Sequence, residues 1–463
     1  MNPLDTFLSA ANKKAFSAKH RSTIKFNIGK YDQKVLQGKQ QFADLELARR
    51  KAKRSKWAAV EQLDTLLLEF EQKFTERGGT VIWAETPEQA QAEIQQILQK
   101  HQTRLVVKSK SMITEEIELN PFLEKLGIET LETDLGEYIV QLRNEPPYHI
   151  ITPAMHLSKG DIAELFTERF QLPPNSSPET ITAYVREKLR QKFATATVGI
   201  TGANFLIADV GGILITENEG NARLATTLPP VHIAIVGIEK ILASVRDLGL
   251  FLPLLATYGT GQNLTVYNSI LTGAKQGDET DGAQEMYVIL LDNGRTRLLA
   301  DPKLRQSLYC IRCGSCLNNC PVYRNIGGHT YETPYSGPIG SVISPHLGEK
   351  GEAGDFNHLS NASSLCGACS ASCPVRIELH DMLLYNRHLE ENKHQKTRSE
   401  TRVWGWWAWA MQYRWLMNVP NTPKKLFSGW FLKSLWGERR EFPEFEGASF
   451  NQWWKKNQNS RNS

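Results

Sequence analysis

The spacing of apolar and polar residues changes along this chain, and each change marks a part. Over residues 34–74 few residues break a helix, and residues 63–74 carry apolar positions at helical spacing. Gly78-Gly79 stops that pattern, and residues 80–83 predict a short strand. Thr86-Pro87 predicts a helix through Leu98, with the threonine as N-cap and the proline at the first helical position. Residues 105–107 predict the next strand. The series resumes at 198–201, 205–208, 213–216 and 231–236, β-branched runs bounded by Gly and Asn, and a helix is expected over 238–246. Continuous apolar strands alternating with helices predict an α/β region, 61–299, whose mostly parallel sheet is covered on both faces. It is long enough to enclose a core.

The pattern then gives way to cysteines and turn formers. Residues 327–354 hold seven Gly and three Pro (Pro334, Pro338, Pro345), which predicts a crossing with no element of its own. Residues 377–389 predict a helix. Beyond about residue 396 tryptophan dominates: Trp404, Trp406, Trp407, Trp409, Trp415, Trp430, Trp436, Trp453 and Trp454 are nine of the chain's eleven. Arg402, Arg414, Lys424, Lys425, Arg439 and Arg440 are mixed among them. Three uses fit this segment: a wrap on the chain's own domains, a partner-docking surface, or peripheral contact with a membrane surface.

Composition narrows the class. The apolar fraction of 41% and charged fraction of 22% are those of a soluble globular protein. The net charge of +4 implies no global attraction to polyanions. Residues 1–60 are locally basic, with fourteen Lys or Arg up to Trp57 against Asp5, Asp32, Asp44 and Glu46. They predict a helical arm, either solvated or docking a partner or anionic membrane. Aromatic interleaving is too sparse there for nucleic acid. Ala10 and Ala11 lead straight into Lys13 and Lys14, so no signal-peptide core is expected, and no run of 18 apolar residues predicts a membrane span.

Chemistry is sparse in the α/β region. Gly259-Thr260-Gly261-Gln262-Asn263-Leu264 starts like a dinucleotide loop, but Leu264 stands where the third glycine belongs. Glu217 and Glu219 follow a predicted strand, where α/β sheets place ligands; each is a candidate reacting carboxylate or part of a polar turn. His149, His156 and His232 have no metal-ligand spacing and are expected to be structural.

The cysteines carry the strongest signal. Cys310, Cys313, Cys316 and Cys320, followed by Pro321, form the C-x2-C-x2-C-x3-C-P run of bacterial iron–sulfur proteins. Cys366, Cys369 and Cys373, followed by Pro374, repeat it without the first cysteine. All seven cysteines lie in these runs. Short gaps bring three thiolates to one cluster, and the fourth points to the other cluster. One cluster is thus expected on Cys310, Cys313, Cys316 and Cys373. The second is expected on Cys320, Cys366 and Cys369. Ser363 holds the place of its missing cysteine, with Ser364 and His358 near. Zinc is the competing metal, but seven cysteines do not divide into tetrahedral sets. Thiolate clusters need reduced cysteines, which predicts a cytoplasmic location. With no local flavin or nicotinamide fingerprint, one-electron relay is the expected role; an active site in the α/β region and a redox sensor or scaffold are the alternatives.

Taken in order, the segment Gly211-Gly212-Ile213-Leu214-Ile215-Thr216-Glu217-Asn218-Glu219-Gly220-Asn221, the two cysteine runs and the Trp-rich tail resemble the lactate utilisation protein B family. The resemblance covers nearly the whole chain. It implies a sheet domain like the sugar-phosphate isomerase and CoA-transferase fold, then a helical ferredoxin-like domain over 300–395 with two iron–sulfur clusters, expected as [4Fe–4S], and the tail at 396–463. It implies an electron carrier in oxidation of L-lactate to pyruvate. It also implies two companions, a cysteine-rich iron–sulfur subunit and a smaller protein sharing the α/β domain. The family's ligands fall on the same seven cysteines, including the three-cysteine second site.

Overall fold

Strands that are apolar at successive positions need a sheet covered on both sides. That sheet lies in the first of two compact units, Met1–Glu390; the second is Glu391–Ser463. The structure, a computed structural model, describes residues 3–348, 354–393, 398–413, 415, 448 and 450–459. The strands are β1 (Gly79–Ala84), β2 (Leu105–Lys108), β3 (Glu129–Glu132), β4 (Val198–Gly202), β5 (Phe205–Ile207), β6 (Gly212–Glu217), β7 (Val231–Gly237), β8 (Ile241–Leu242), β9 (Tyr267–Leu271) and β10 (Glu285–Leu291).

Six strands run parallel in the order β1-β10-β7-β4-β2-β3. Successive side chains go to opposite faces. Val288 and Leu290 pack with Leu66, Leu67, Phe70 and Phe74 of helix Leu63–Glu76. Ile289 and Leu291 pack with Ala90, Ile94, Ile97 and Leu98 of helix Pro87–Lys100. Each such burial stabilises the fold by roughly 1.5–3 kcal/mol. The expected cap is present: the Thr86 side chain accepts from the Gln89 N–H, and Pro87 opens the helix.

A second sheet, β8-β5-β6-β9, takes two of the strands expected in the first. β6 pairs antiparallel with β5 and β9, and β5 pairs parallel with β8. The helix expected over 238–246 is not formed. Ile241 and Leu242 are drawn into β8 by pairing with Leu206 and Ile207, and helix Leu248–Thr260 begins only after them. Gly261, in the left-handed conformation, caps that helix, so the Gly259-Thr260-Gly261 motif is a helix end and not a phosphate loop.

Two further expectations are corrected. Residues 1–60 are not a solvated arm. Phe7, Ile24 and Ile28 are buried in one core with Tyr323, Tyr331 and the cysteine-bearing segment. Arg49 donates to the carbonyls of Ala371 (2.7 Å) and Cys373 (2.8 Å), and Arg324 pairs with Asp32 at 2.8 Å. The crossing between the cysteine runs does form an element, helix Gly337–Ile343, every residue of which is buried. The helix expected over 377–389 is present as Leu379–Lys393.

In the second unit, helix Arg398–Gln412 exposes Trp404, Trp406, Trp407 and Trp409, and helix Phe450–Asn459 exposes Trp453 and Trp454. Trp430, Trp436 and the cations Arg414, Lys424, Lys425, Arg439 and Arg440 lie outside the described residues. No described helix is long and apolar enough to cross a membrane.

Candidate metal centre

The two cysteine runs are one structural unit used twice, at an offset of 53 residues (Cys366 against Cys313). Helix Ser315–Asn318 corresponds to helix Ala368–Ala371 at that offset. Gly314 (φ 74°) corresponds to Gly367 (φ 78°), each turning the backbone left-handed at a helix start. Arg312 (φ 58°) corresponds to Leu365 (φ 53°). Left-handed backbone is unusual for residues with a side chain, so its recurrence at matched positions marks a true repeat. Ser363 falls opposite Cys310. The Arg312 N–H donates to Cys310 Sγ at 3.4 Å, and the Leu365 N–H donates to Ser363 Oγ at 3.1 Å. The serine oxygen therefore makes the bond its cysteine counterpart makes. Ser364 bonds instead to the thiol of Cys366, and the His358 ring packs on Phe7.

The chain brings the thiols into two groups. Cys313 lies within electrostatic reach of Cys373 and Cys310, and Cys373 of Cys310; Cys316 adds to this group. Cys369 responds to Cys320 and Cys366, and Cys320 to Cys366. The link between groups is Cys316 to Cys369. Burial, and then neighbouring sulfurs, push the thiols of Cys313 and Cys316 far above the ordinary range. Burial also takes Cys373 to about 12 and Cys369 to about 11. Exposed Cys366 is lowered by the Ala368 N–H and the Ser364 hydroxyl. Grouped, buried thiols cannot all ionise without a cation among them, and they are poor nucleophiles as they stand. Soft sulfur donors in this setting fit iron–sulfur clusters.

Basic side chains surround the first group, Lys56 buried and Lys240 and Arg312 partly so. Lys56, Lys240 and Arg312 each lie within electrostatic reach of Cys310. Lys56 Nζ donates to the carbonyls of Glu239 (2.6 Å) and Ile241 (3.2 Å). Arg312 stacks on the Tyr335 ring at 4.2 Å and reaches Glu239 at 3.4 Å. Glu239 also pairs with Arg295 (2.6 Å), which pairs in turn with Glu116 (2.8 Å). Sequence patterning did not single out these residues, because each gains its role from partners far along the chain. Arg312 alone of them lies inside a cysteine run.

The candidate carboxylates separate. Both oxygens of Glu217 accept backbone N–H groups, from Ala222 and Arg223 at 2.7 Å, so it caps helix Asn221–Thr227. Glu219, a partly exposed residue, accepts from the Leu135 N–H at 3.2 Å, and partial desolvation and then the Asp134 charge raise its carboxyl above the ordinary range. Glu219 lines a cavity of about 400 Å³ outside the carboxyl ends of β2, β4 and β7, which also reaches Arg312 and Tyr335. The histidines have structural partners: His149 Nδ1 accepts from the Ile151 N–H (3.1 Å), His156 pairs with Glu145 (2.9 Å) and His232 bonds Thr201 (2.8 Å).

Known proteins fit the same division. Residues 67–291 match the LUD domain family and residues 306–377 the 4Fe-4S dicluster domain family. The uncharacterized electron transport protein YkgF of Escherichia coli (strain K12) is 41% identical over 410 residues, 86% of each chain. Lactate utilization protein B of Oceanobacillus iheyensis is 40% identical over 407 residues, 85% of this chain and 84% of that one. Its namesake in Lysinibacillus sphaericus is 39% identical over 448 residues, 94% and 93% of the two chains. With this identity along almost its full length, the chain belongs to the lactate utilization protein B family.

Proposed function

We propose that this protein is an iron–sulfur electron carrier in the oxidation of L-lactate to pyruvate, supporting growth on lactate. The observation that carries the reading is the backbone repeat, in which the last cysteine of each run lies with the first cysteines of the other. Cys310, Cys313, Cys316 and Cys373 would hold one [4Fe–4S] cluster. Cys320, Cys366 and Cys369 would hold the second, with Ser363 in the place that Cys310 takes in the first. Bound clusters supply one-electron uptake and release. The chain's part is to fix the thiols, exclude water from the first group and surround it with Lys56, Lys240 and Arg312. Those cations favour the more negative, reduced state. Cys366 is exposed, so the second group is the side open to a partner.

The family likeness supports a multi-component lactate-utilization system, and the companions we propose are a cysteine-rich iron–sulfur subunit and a smaller protein sharing the α/β domain. The exposed tryptophans of helix Arg398–Gln412 are the candidate docking or membrane-surface contacts. Deleting the gene in a strain with no other lactate dehydrogenase tests the pathway: growth on lactate should be lost, and normal growth would refute the assignment. A second reading, an active site within the α/β domain, is favoured by the cavity at Glu219. Lactate turnover by the isolated chain with an artificial acceptor, abolished by Glu219→Gln, would support it.

A further inference from the structure

The cavity outside the carboxyl ends of β2, β4 and β7 is lined by Lys110, Lys240, Arg295 and Arg312 and by Asp134, Glu217, Glu219 and Glu239. Formal charge balances, but hydrogen bonding does not. The carboxylates are engaged: Glu217 by two N–H groups, Glu219 by Leu135, Asp134 by Glu137, and Glu239 by Arg295 and Arg312. On the cation side, Lys110 Nζ and Arg312 Nη1 are buried donors with no hydrogen-bond partner among the described residues. A buried cationic donor without an acceptor is expensive, by several kcal/mol as an order of magnitude. What the cavity lacks is an acceptor, and a negatively charged one.

The two ends of the cavity differ. Lys110 is already surrounded by acids, with Asp134, Glu137, Glu219 and Glu132 all acting on it. Lys240 and Arg312 share Glu239 with Arg295, while Arg295 is also neutralised by Glu116. Burial draws Lys56, which bonds the Glu239 carbonyl, down to about 7, so the lasting cations at that end are Lys240, Arg295 and Arg312 against two acids, Glu116 and Glu239. Part of the surplus offsets sulfur charge at Cys310, yet Lys240 and Arg312 also line the cavity.

We infer that this cavity binds a small 2-hydroxy or 2-oxo monocarboxylate, its carboxylate against Arg312 and Lys240 and its C2 oxygen toward Lys110 and Glu219. The site deepens the lactate reading above and rests on it. Arg312 lies between Cys310 and Cys313, so a bound acid sits beside the first thiol group.

Calorimetric titration of the anaerobically purified, cluster-loaded full chain tests the site. L-lactate or pyruvate should bind saturably at one per chain, lactamide should not bind, and propionate should bind more weakly. In chains that retain iron, Lys240→Met should weaken lactate binding at least tenfold. Lys110→Met, outside both cysteine runs, should weaken lactate more than propionate; it serves as the deciding variant if Lys240→Met loses iron. A loaded, reducible chain that binds none of these carboxylates overturns the inference and leaves the electron-carrier reading standing. Lactate binding unaltered in Lys110→Met and in iron-retaining Lys240→Met overturns the proposed site. A chain that holds no iron overturns the reading beneath it.

Discussion

Glu239 Oε1 and Arg312 Nη2 lie 3.4 Å apart, joining the end of the parallel sheet to the turn between Cys310 and Cys313. The same carboxylate holds Arg295 at 2.6 Å, and both of these groups are almost fully buried. Removing one partner from such a network leaves uncompensated buried charge, which costs about 3–5 kcal/mol. Glu239→Ala should therefore lower stability by about that amount and reduce iron bound at the first thiol group. Denaturant unfolding together with iron analysis checks both; a stable variant with full iron would show that the network does not position the turn.

Acidification should weaken the same region. Burial alone would raise the Glu239 carboxyl, but Arg295 and then Arg312 outweigh it and hold it down to about 2. Its stabilising contribution is complete above its ordinary value near 4.5 and is lost as pH falls toward about 2. Burial pushes His232 down to about 3, so the unfolded chain takes up that proton first. Stability linked to His232 should fall as pH drops from about 6.5. Melting temperatures between about pH 7 and 5 should decline in the natural chain and decline less in His232→Gln. Identical slopes would remove His232 from the account.

The two glycines of the repeat separate backbone strain from crowding. A side chain at Gly314 or Gly367 faces the same left-handed penalty, about 1–2 kcal/mol. At Gly314 an added Cβ would also lie 3.1 Å from His149 and 3.1 Å from Ile151, whereas at Gly367 nothing lies within 4 Å. Gly314→Ala should thus lose more stability and more iron than Gly367→Ala. Equal losses would mean that strain alone matters.

Much of this was legible locally. Thr86-Pro87, the β-branched strands and both cysteine runs signal themselves within a few residues. The misread parts depend on distant partners. Ile241 and Leu242 become a strand only because Leu206 and Ile207 are beside them. The basic N-terminal helices read as solvated until Arg49 meets the Cys373 carbonyl and Asp32 meets Arg324. The Gly- and Pro-rich crossing folds as helix Gly337–Ile343 because it is buried. At the centre, thiol spacing was visible, but Lys56, Lys240 and Glu239 lie outside the cysteine runs.

Ser363 offers a direct substitution test. If its oxygen stands where Cys310 Sγ stands in the first site, Ser363→Cys should complete a four-thiolate second cluster and slow its oxidative loss of iron. Ser363→Ala should hasten that loss. EPR of mildly oxidised samples would follow the three-iron signal, and equal signals in all three proteins would exclude Ser363 as a ligand.

Crossed use of the cysteines is the central claim, and EPR of anaerobically purified Cys373→Ala tests it most directly. The natural chain should carry about eight iron atoms, as two [4Fe–4S] centres. The variant should lose or alter the centre on Cys310, Cys313 and Cys316 while the signal from Cys320, Cys366 and Cys369 persists. Loss of only that second signal, with the first intact, would contradict the account.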